Sequence, residues 1–361
     1  MPDNGPPVPG PPVPVPGAPG GPAGLVYGGL ASPDRVPGAG GGPAGLVDGG
    51  PAFPVPAPGA GGDPAGSMAA ASTSLGSPGS AAAGTRPGVA AGMPSPVERL
   101  EGRLDELRRD GRAALVAYGV AGYPDLDGSL AAFRAMAQAG ADVLEVGPPY
   151  SDPLIDGPVI QRAVTAALDA GTRLDDVFGL VNELTASVDA PVVLLVYYNL
   201  VAHRGPRRFA AELAAAGACG AVVPDLPPEE AGEWLDAAGA AGVAPVFLAA
   251  PTSSDARLAA VASSGRGFVY AQASLGVTGL RASLAAGIED LVGRVRAHTD
   301  LPVCAGIGVS NAEQAAAVAR FADGAIVGTA LVRRLGDAGL DGLRTLTAEL
   351  AGAVHNARSR R

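Results

Sequence analysis

The sequence contains no lysine. All 25 of its strong bases are arginines, set against 35 acidic residues, and the formal net charge is −10 at pH 7. Neutralising nucleic-acid phosphates takes clustered cations, and their absence excludes a nucleic-acid partner. A small anion stays open, because backbone N–H groups bind one without any cationic side chain. The two cysteines, Cys219 and Cys304, are far apart in apolar surroundings and read as small buried hydrophobes, not as a disulfide or metal pair. His203, His298 and His355 stand in polar or helix-end contexts with no ligand spacing between them. No apolar run reaches the roughly 18 residues of a membrane span. The first residues, Met1-Pro2-Asp3-Asn4-Gly5, lack the basic and apolar parts of a signal peptide. The expectation is a cytoplasmic protein.

Charge is also scarce in residues 1–94, which are built from Gly, Pro, Ala and Val. Such a segment buries too little surface to offset its ordering entropy, so a disordered low-complexity extension is expected there. It holds a duplication: the fifteen residues from Val15 recur from Val36, with Gly40 for Pro19 and Asp48 for Tyr27. Two copies are too few for a solenoid and suit a flexible or polyproline-like tail.

What is present begins at Ser95, and 95–361 is expected to be one domain. Ser95-Pro96-Val97-Glu98 is a capping box with Pro at the first helical position. Leu100, Leu104 and Leu107 give the helix one apolar face, and Gly111 ends it. Short apolar runs then predict strands at 114–118, 143–146, 192–196, 221–223, 244–248, 267–271, 303–307 and 325–327. Ala-rich helical stretches lie between them, at 129–138, 159–170, 174–187, 206–216, 228–240, 255–262, 288–298 and 312–321. Strands alternating with helices in this way predict an α/β fold, a (β/α)8 TIM barrel with an N-terminal capping helix. An open doubly wound sheet is the rival. The even spacing, and the lack of a Gly-x-Gly-x-x-Gly fingerprint after the first strand, favour closure.

A barrel of this kind builds its active site at the C-terminal ends of its strands. That rule selects Glu145 at the end of the second strand, Asp152 and Asp156 in its loop, Tyr197 and Asn199 after the third, and Asp225 after the fourth. Glu145 lies between Leu144 and Val146, where an ionised carboxylate is costly, so it needs a partner, a raised pKa or a chemical task. An acid/base role and a structural carboxylate tied to a barrel amide both fit these residues. Asp225 reads as a carboxylate that orients loops. Gly276-Val277-Thr278-Gly279, Gly306-Ile307-Gly308-Val309-Ser310 and Val327-Gly328-Thr329-Ala330 follow the last three strands, and their glycines let backbone N–H groups converge on an anion. Tight turns alone would explain any one of these loops.

Taken in order, Leu144-Glu145-Val146-Gly147, Ser151-Asp152-Pro153-Leu154, Asp156-Gly157-Pro158-Val159-Ile160-Gln161, Tyr197-Tyr198-Asn199, Pro224-Asp225-Leu226-Pro227, Gly265-Arg266-Gly267-Phe268-Val269-Tyr270 and the glycine loops resemble the tryptophan synthase alpha chain family, across 95–358. The resemblance implies a carbon–carbon lyase that splits indole-3-glycerol phosphate into indole and glyceraldehyde 3-phosphate by a retro-aldol reaction. Glu145 resembles the acid/base that protonates indole C3, and Asp156 the carboxylate that holds the indole N–H. Tyr270 resembles the tyrosine near the reacting glycerol carbon. Gly279, Gly308, Gly328 and Thr329 match the phosphate loops, with Ser310 as a helix cap. Thr278 matches the mobile sixth loop. Asp152, Pro153 and Asn199 match segments that face a beta chain in an alpha2-beta2 heterotetramer. The resemblance implies no cofactor in this chain, with pyridoxal phosphate only in the beta chain. An uncoupled lyase releasing free indole and a non-catalytic partner-binding homologue share the same motifs. Pro148 departs from the family, which has a branched aliphatic residue there. A Pro at this point removes a donor and restricts Gly147, immediately beside the proposed acid, and leaves open whether Glu145 is shifted slightly or kept in place.

Overall fold

The structure is a computed structural model that describes residues 94–153, 155–273 and 282–357, without the side chains of 282–286. Its strands and helices alternate from the start. In chain order these are α1 (Pro96–Arg109), β1 (Ala114–Val120), α2 (Leu126–Gln138), β2 (Val143–Gly147), α3 (Pro158–Asp169), α4 (Leu174–Thr185), β3 (Val192–Leu195), α5 (Tyr198–Arg204), α6 (Pro206–Ala215) and β4 (Gly220–Val222). Then follow α7 (Gly232–Ala241), β5 (Ala244–Val246), β6 (Leu248–Ala249), α8 (Asp255–Ser264), β7 (Val269–Gln272), α9 (Ala282–Arg296), β8 (Val303–Gly306), α10 (Ala312–Ala319), β9 (Gly324–Val327) and α11 (Thr329–Asn356).

All the strands are parallel, in the order β5-β4-β3-β2-β1-β9-β8-β7-β6. The two ends of that order, β5 and β6, are separated in sequence only by Phe247. The chain itself therefore closes the ring: β5 pairs with β4, β6 pairs with β7, and the Phe247 carbonyl accepts from Tyr270 N–H at 3.0 Å. Eight expected strands become nine segments because the fifth is broken at Phe247. The result is the expected TIM barrel. Residues 1–93, with the duplication and the expected tail, lie outside the described residues.

Helix α1 is started by the capping box: Ser95 Oγ accepts from Glu98 N–H, and the Glu98 carboxylate accepts from Ser95 N–H at 2.7 Å. Its Leu100, Leu104 and Leu107, with Val97, pack on Val116, Val143, Val193, Val222, Val246, Phe268 and Ile326 inside the barrel. The helix is thus a plug across the N-terminal end of the barrel. A larger core, which includes Leu144, Leu194, Phe209, Trp234 and Leu350, lies between the barrel wall and the surrounding helices.

Two carboxylates pin the plug. Asp142, 1 % exposed just before β2, accepts from Leu115 N–H at 2.8 Å and from Arg103 of α1 at 2.7 Å, and meets His355 Nε2 of α11 at 2.7 Å. Asp323, just before β9, accepts from Val303 N–H and from Arg296, both at 3.0 Å, with Arg108 of α1 at 3.7 Å. Both therefore tie helices to the backbone of a neighbouring strand.

Three helical features depart from expectation. The stretch 228–240 is broken into a 3-10 turn (Pro228–Glu230) and α7. Helix α5 was not expected, and of α11 only a start after Gly328 was. In α11 the glycines Gly336, Gly339 and Gly342 each cost helical stability, yet only Gly339, at φ 62°, leaves helical geometry, and the two arms bury Leu331, Val332, Leu343, Leu346 and Leu350. No helix among the described residues is long and apolar enough to cross a membrane.

Removing one partner of a buried ion pair leaves the others uncompensated. Asp142→Ala is expected to lower the unfolding free energy by about 3 to 5 kcal/mol, read by urea denaturation. A loss below about 1 kcal/mol would show that the pinning matters little.

Candidate active site

The pairing of β1 with β2 aligns Tyr118 with Glu145, and that of β2 with β3 aligns Glu145 with Val193. Aligned residues of parallel strands point to the same face. Val116 and Val143, two residues earlier, already lie inside the barrel, so Tyr118 and Glu145 form the next inward layer toward the C-terminal mouth. Tyr270, near the end of β7, joins them. Glycines make room for the rings. A Cβ on Gly147 would overlap the Tyr118 hydroxyl, and one on Gly306 would lie 2.6 Å from the Tyr270 hydroxyl.

Glu145 is 1 % exposed, and its Oε1 has no hydrogen-bond partner among the described residues. Burial first, and the nearby Asp156 second, raise its pKa to about 8. At neutral pH this carboxyl is mostly protonated and able to give its proton away. Asp156 is less buried. Burial raises its pKa too, but the Tyr197 hydroxyl, donating to Oδ2 at 3.1 Å, opposes the rise. The two groups thus differ as expected, with the charge better tolerated on Asp156. Burial pushes the Tyr118 and Tyr270 hydroxyls well above the usual tyrosine value, and both carboxylates add to it. Two carboxyls and two tyrosines therefore share one field at the barrel mouth.

Helix α11 starts at this mouth as well. Its N-cap, Gly328, gives no side-chain cap, and a Cβ there would lie 3.0 Å from the Tyr118 ring. The N–H groups of the first helical turn, from Thr329 onward, point out of the helix end without helical acceptors. Gly308, in the loop after β8, has φ 71°. By contrast, α10 is capped by Asn311, whose side chain accepts from Gln314 N–H at 2.9 Å. That corrects the expectation for Ser310: its N–H and hydroxyl donate to Gln314 Oε1 instead. Thr278 and Gly279 lie outside the described residues.

Asp152 and Asn199 are exposed and Pro153 half-buried. Asp225 acts between loops, accepting from Tyr198 N–H at 2.8 Å. Pro148 stands at the edge of the strand pairing. The β1–β2 pairing runs through Val120 and Gly147, the Gly147 carbonyl accepts from Ala121 N–H, and Pro148 begins just beyond the last pair. Three tyrosines had no role assigned from sequence. Tyr118 was detectable by the strand-end rule that selected Glu145. Tyr197 was selected by that rule, but its role, like that of Tyr150, depends on contacts between two loops, for which a single strand's pattern holds no signal.

Fold and site together define a TIM-barrel protein with a two-carboxylate centre at the mouth. The sequence model of the tryptophan synthase alpha chain family matches residues 104–358. The alpha chain from Streptomyces coelicolor is 50% identical over 267 residues, 73% of this chain and 98% of that one. The one from Salinispora tropica is 51% identical over 263 residues, 72% and 98% of the two chains. Among solved structures, a Mycobacterium tuberculosis tryptophan synthase is 46% identical with a TM-score of 0.68, covering 71% of this chain and 98% of that chain. The Legionella pneumophila alpha subunit is 31% identical with a TM-score of 0.65, covering 71% and 98%. The chain belongs to the tryptophan synthase alpha chain family, and with it to tryptophan biosynthesis.

The folded pKa of Glu145 lies above its unfolded value near 4.5. Its neutral form therefore contributes stability that is fully present below about pH 4.5 and lost as pH rises through about 8. Glu145→Gln has no such loss. Its stability relative to the parent chain is expected to grow by a few kcal/mol between pH 5 and pH 9, in denaturation curves taken across that range. Parallel curves for the two proteins would contradict the raised pKa.

Proposed function

We propose that this chain cleaves indole-3-glycerol phosphate to indole and glyceraldehyde 3-phosphate. The observation that carries this reading is the buried Glu145 carboxyl, without a partner on Oε1 among the described residues and with a pKa of about 8, beside the better-solvated Asp156. Glu145 gives its proton to indole C3, which turns the ring into an electron sink. Positive charge develops at the ring nitrogen, and Asp156 accepts the hydrogen bond from that N–H and stabilises the charge. The bond between C3 and the glycerol carbon then breaks, its electron pair returning to the ring. The hydroxyl proton on that carbon passes to the emptied Glu145 carboxylate as the aldehyde forms. One proton is given and one recovered, so the acid is ready for the next cycle. Tyr270 lies against the glycerol chain.

The phosphate would bind on the uncapped start of α11, through the amides at Gly328 and Thr329, together with the glycine loops at Gly308 and Gly279. This needs no lysine, and the chain has none. Closure of the loop that carries Thr278 would exclude water. The reading includes a beta chain in an alpha2-beta2 heterotetramer, docked on the side of Asp152, Pro153 and Asn199. Pyridoxal phosphate is assigned to that partner alone, and this chain takes no cofactor.

The test is turnover of indole-3-glycerol phosphate by the full chain, with and without purified beta chain. Formation of glyceraldehyde 3-phosphate is expected, with free indole in the absence of the partner. Glu145→Gln should cut turnover at least about 100-fold while substrate binding stays nearly unchanged. No turnover under either condition, with substrate still bound, would overturn the reading.

A further inference from the structure

Asp156 lies in a loop, where a carboxylate has several orientations available, yet the proposed chemistry needs one. Its fixed contact is Tyr197, whose hydroxyl donates to Asp156 Oδ2 at 3.1 Å and accepts from Ile155 N–H at 3.2 Å. One hydroxyl thus grips both the side chain and the adjacent backbone of the same loop. The Tyr197 ring is itself held: Tyr150 stacks on it with centroids 5.0 Å apart and planes inclined by 30°. Tyr150 is held in turn, its hydroxyl accepting from Asn199 Nδ2 at 3.1 Å. Asn199 belongs to α5, whose first residue Tyr198 is tied by its N–H to Asp225 in the loop after β4. The contacts run from an exposed amide to the carboxylate without a gap. Each is directional, and the loops after β2, β3 and β4 all contribute.

We propose that Tyr150 and Tyr197 form a clamp that sets the orientation of Asp156 and acts as a pair of positioning residues, with Asn199 as its outer anchor. The inference rests on the lyase reading for its effect on rate. Neither tyrosine needs to touch a reacting atom. The chemistry asks for a carboxylate oxygen aimed at a ring N–H, and an aim lost by about 1 Å costs rate more than affinity. Because Asn199 is exposed, whatever binds over it would act on the site through this clamp.

The clamp also supports the charge on Asp156, because the Tyr197 hydroxyl opposes the rise that burial causes. The titratable groups facing this centre among the described residues are Glu145 on β2, Tyr118 on β1 and Tyr270 on β7, with Asp225 acting on Tyr197. None of them donates to Asp156 in its place.

Tyr197→Phe keeps the ring and the stack but removes the grip. It is expected to lower kcat about tenfold with KM nearly unchanged, and to move the acid limb of the kcat/KM profile to higher pH. Tyr150→Leu, which removes the stack, should lower kcat in the parent chain and have no further effect in the Tyr197→Phe background. Asn199→Ala, an exposed substitution, should give a smaller loss of the same kind. Unchanged kcat and pH profile in Tyr197→Phe would overturn the clamp, as would additive effects of Tyr150→Leu and Tyr197→Phe. Titration of the Asp156 carboxyl by carbon-13 NMR, in the parent chain and Tyr197→Phe, reads the same contact without turnover. An upward move supports the clamp and coincident curves overturn it. A parent chain without lyase activity would sink the proposed function, and the titration would still decide the clamp.

Discussion

Burial of the Glu145 carboxyl is the constraint on which the rest of the site depends. The desolvation that raises its pKa to about 8 comes from its place in the barrel, one layer above the valines that the plug helix seals from below. Were the N-terminal end of the barrel open to water, that layer would be solvated and the carboxyl an ordinary one. Stability at one end and acidity at the other are therefore linked through the same packed interior.

Three buried carboxylates differ in how their charge is compensated. Asp142 and Asp323 stand at the N-terminal rim, each accepting from a strand N–H and from arginine. Glu145 stands two residues inside β2, and its Oε1 accepts from none of the described residues. All three are hidden from water, but the rim pair is compensated as structural charges must be. The mouth residue is left to hold a proton. One strand region thus carries both kinds: Asp142 just before β2 is structural, and Glu145 three residues later has the environment of an acid.

The barrel was legible because its strands are buried on both faces and so appear as uninterrupted apolar runs, such as Val192 to Leu195. The break at Phe247 was not, since a change in pairing partner leaves no mark on an apolar run. The start of α11 was legible after Gly328, but its length was hidden by its glycines, whose cost is outweighed by the leucines that the helix buries. In the site, Glu145 was legible because a charge in an apolar strand contradicts local pattern. Asp156 was legible only as a loop carboxylate, and its hold by Tyr197 and Tyr150 depends on two loops meeting.

The proposed proton transfer depends on one protonation state, that of Glu145. Selective carbon-13 labelling of glutamate, with Glu145 assigned by loss of its signal in Glu145→Gln, allows the carboxyl to be titrated directly in the folded chain. A midpoint near pH 8 is predicted. A midpoint near the ordinary glutamate value of about 4.3 would mean that Glu145 is ionised at neutral pH, and would contradict its role as the proton donor.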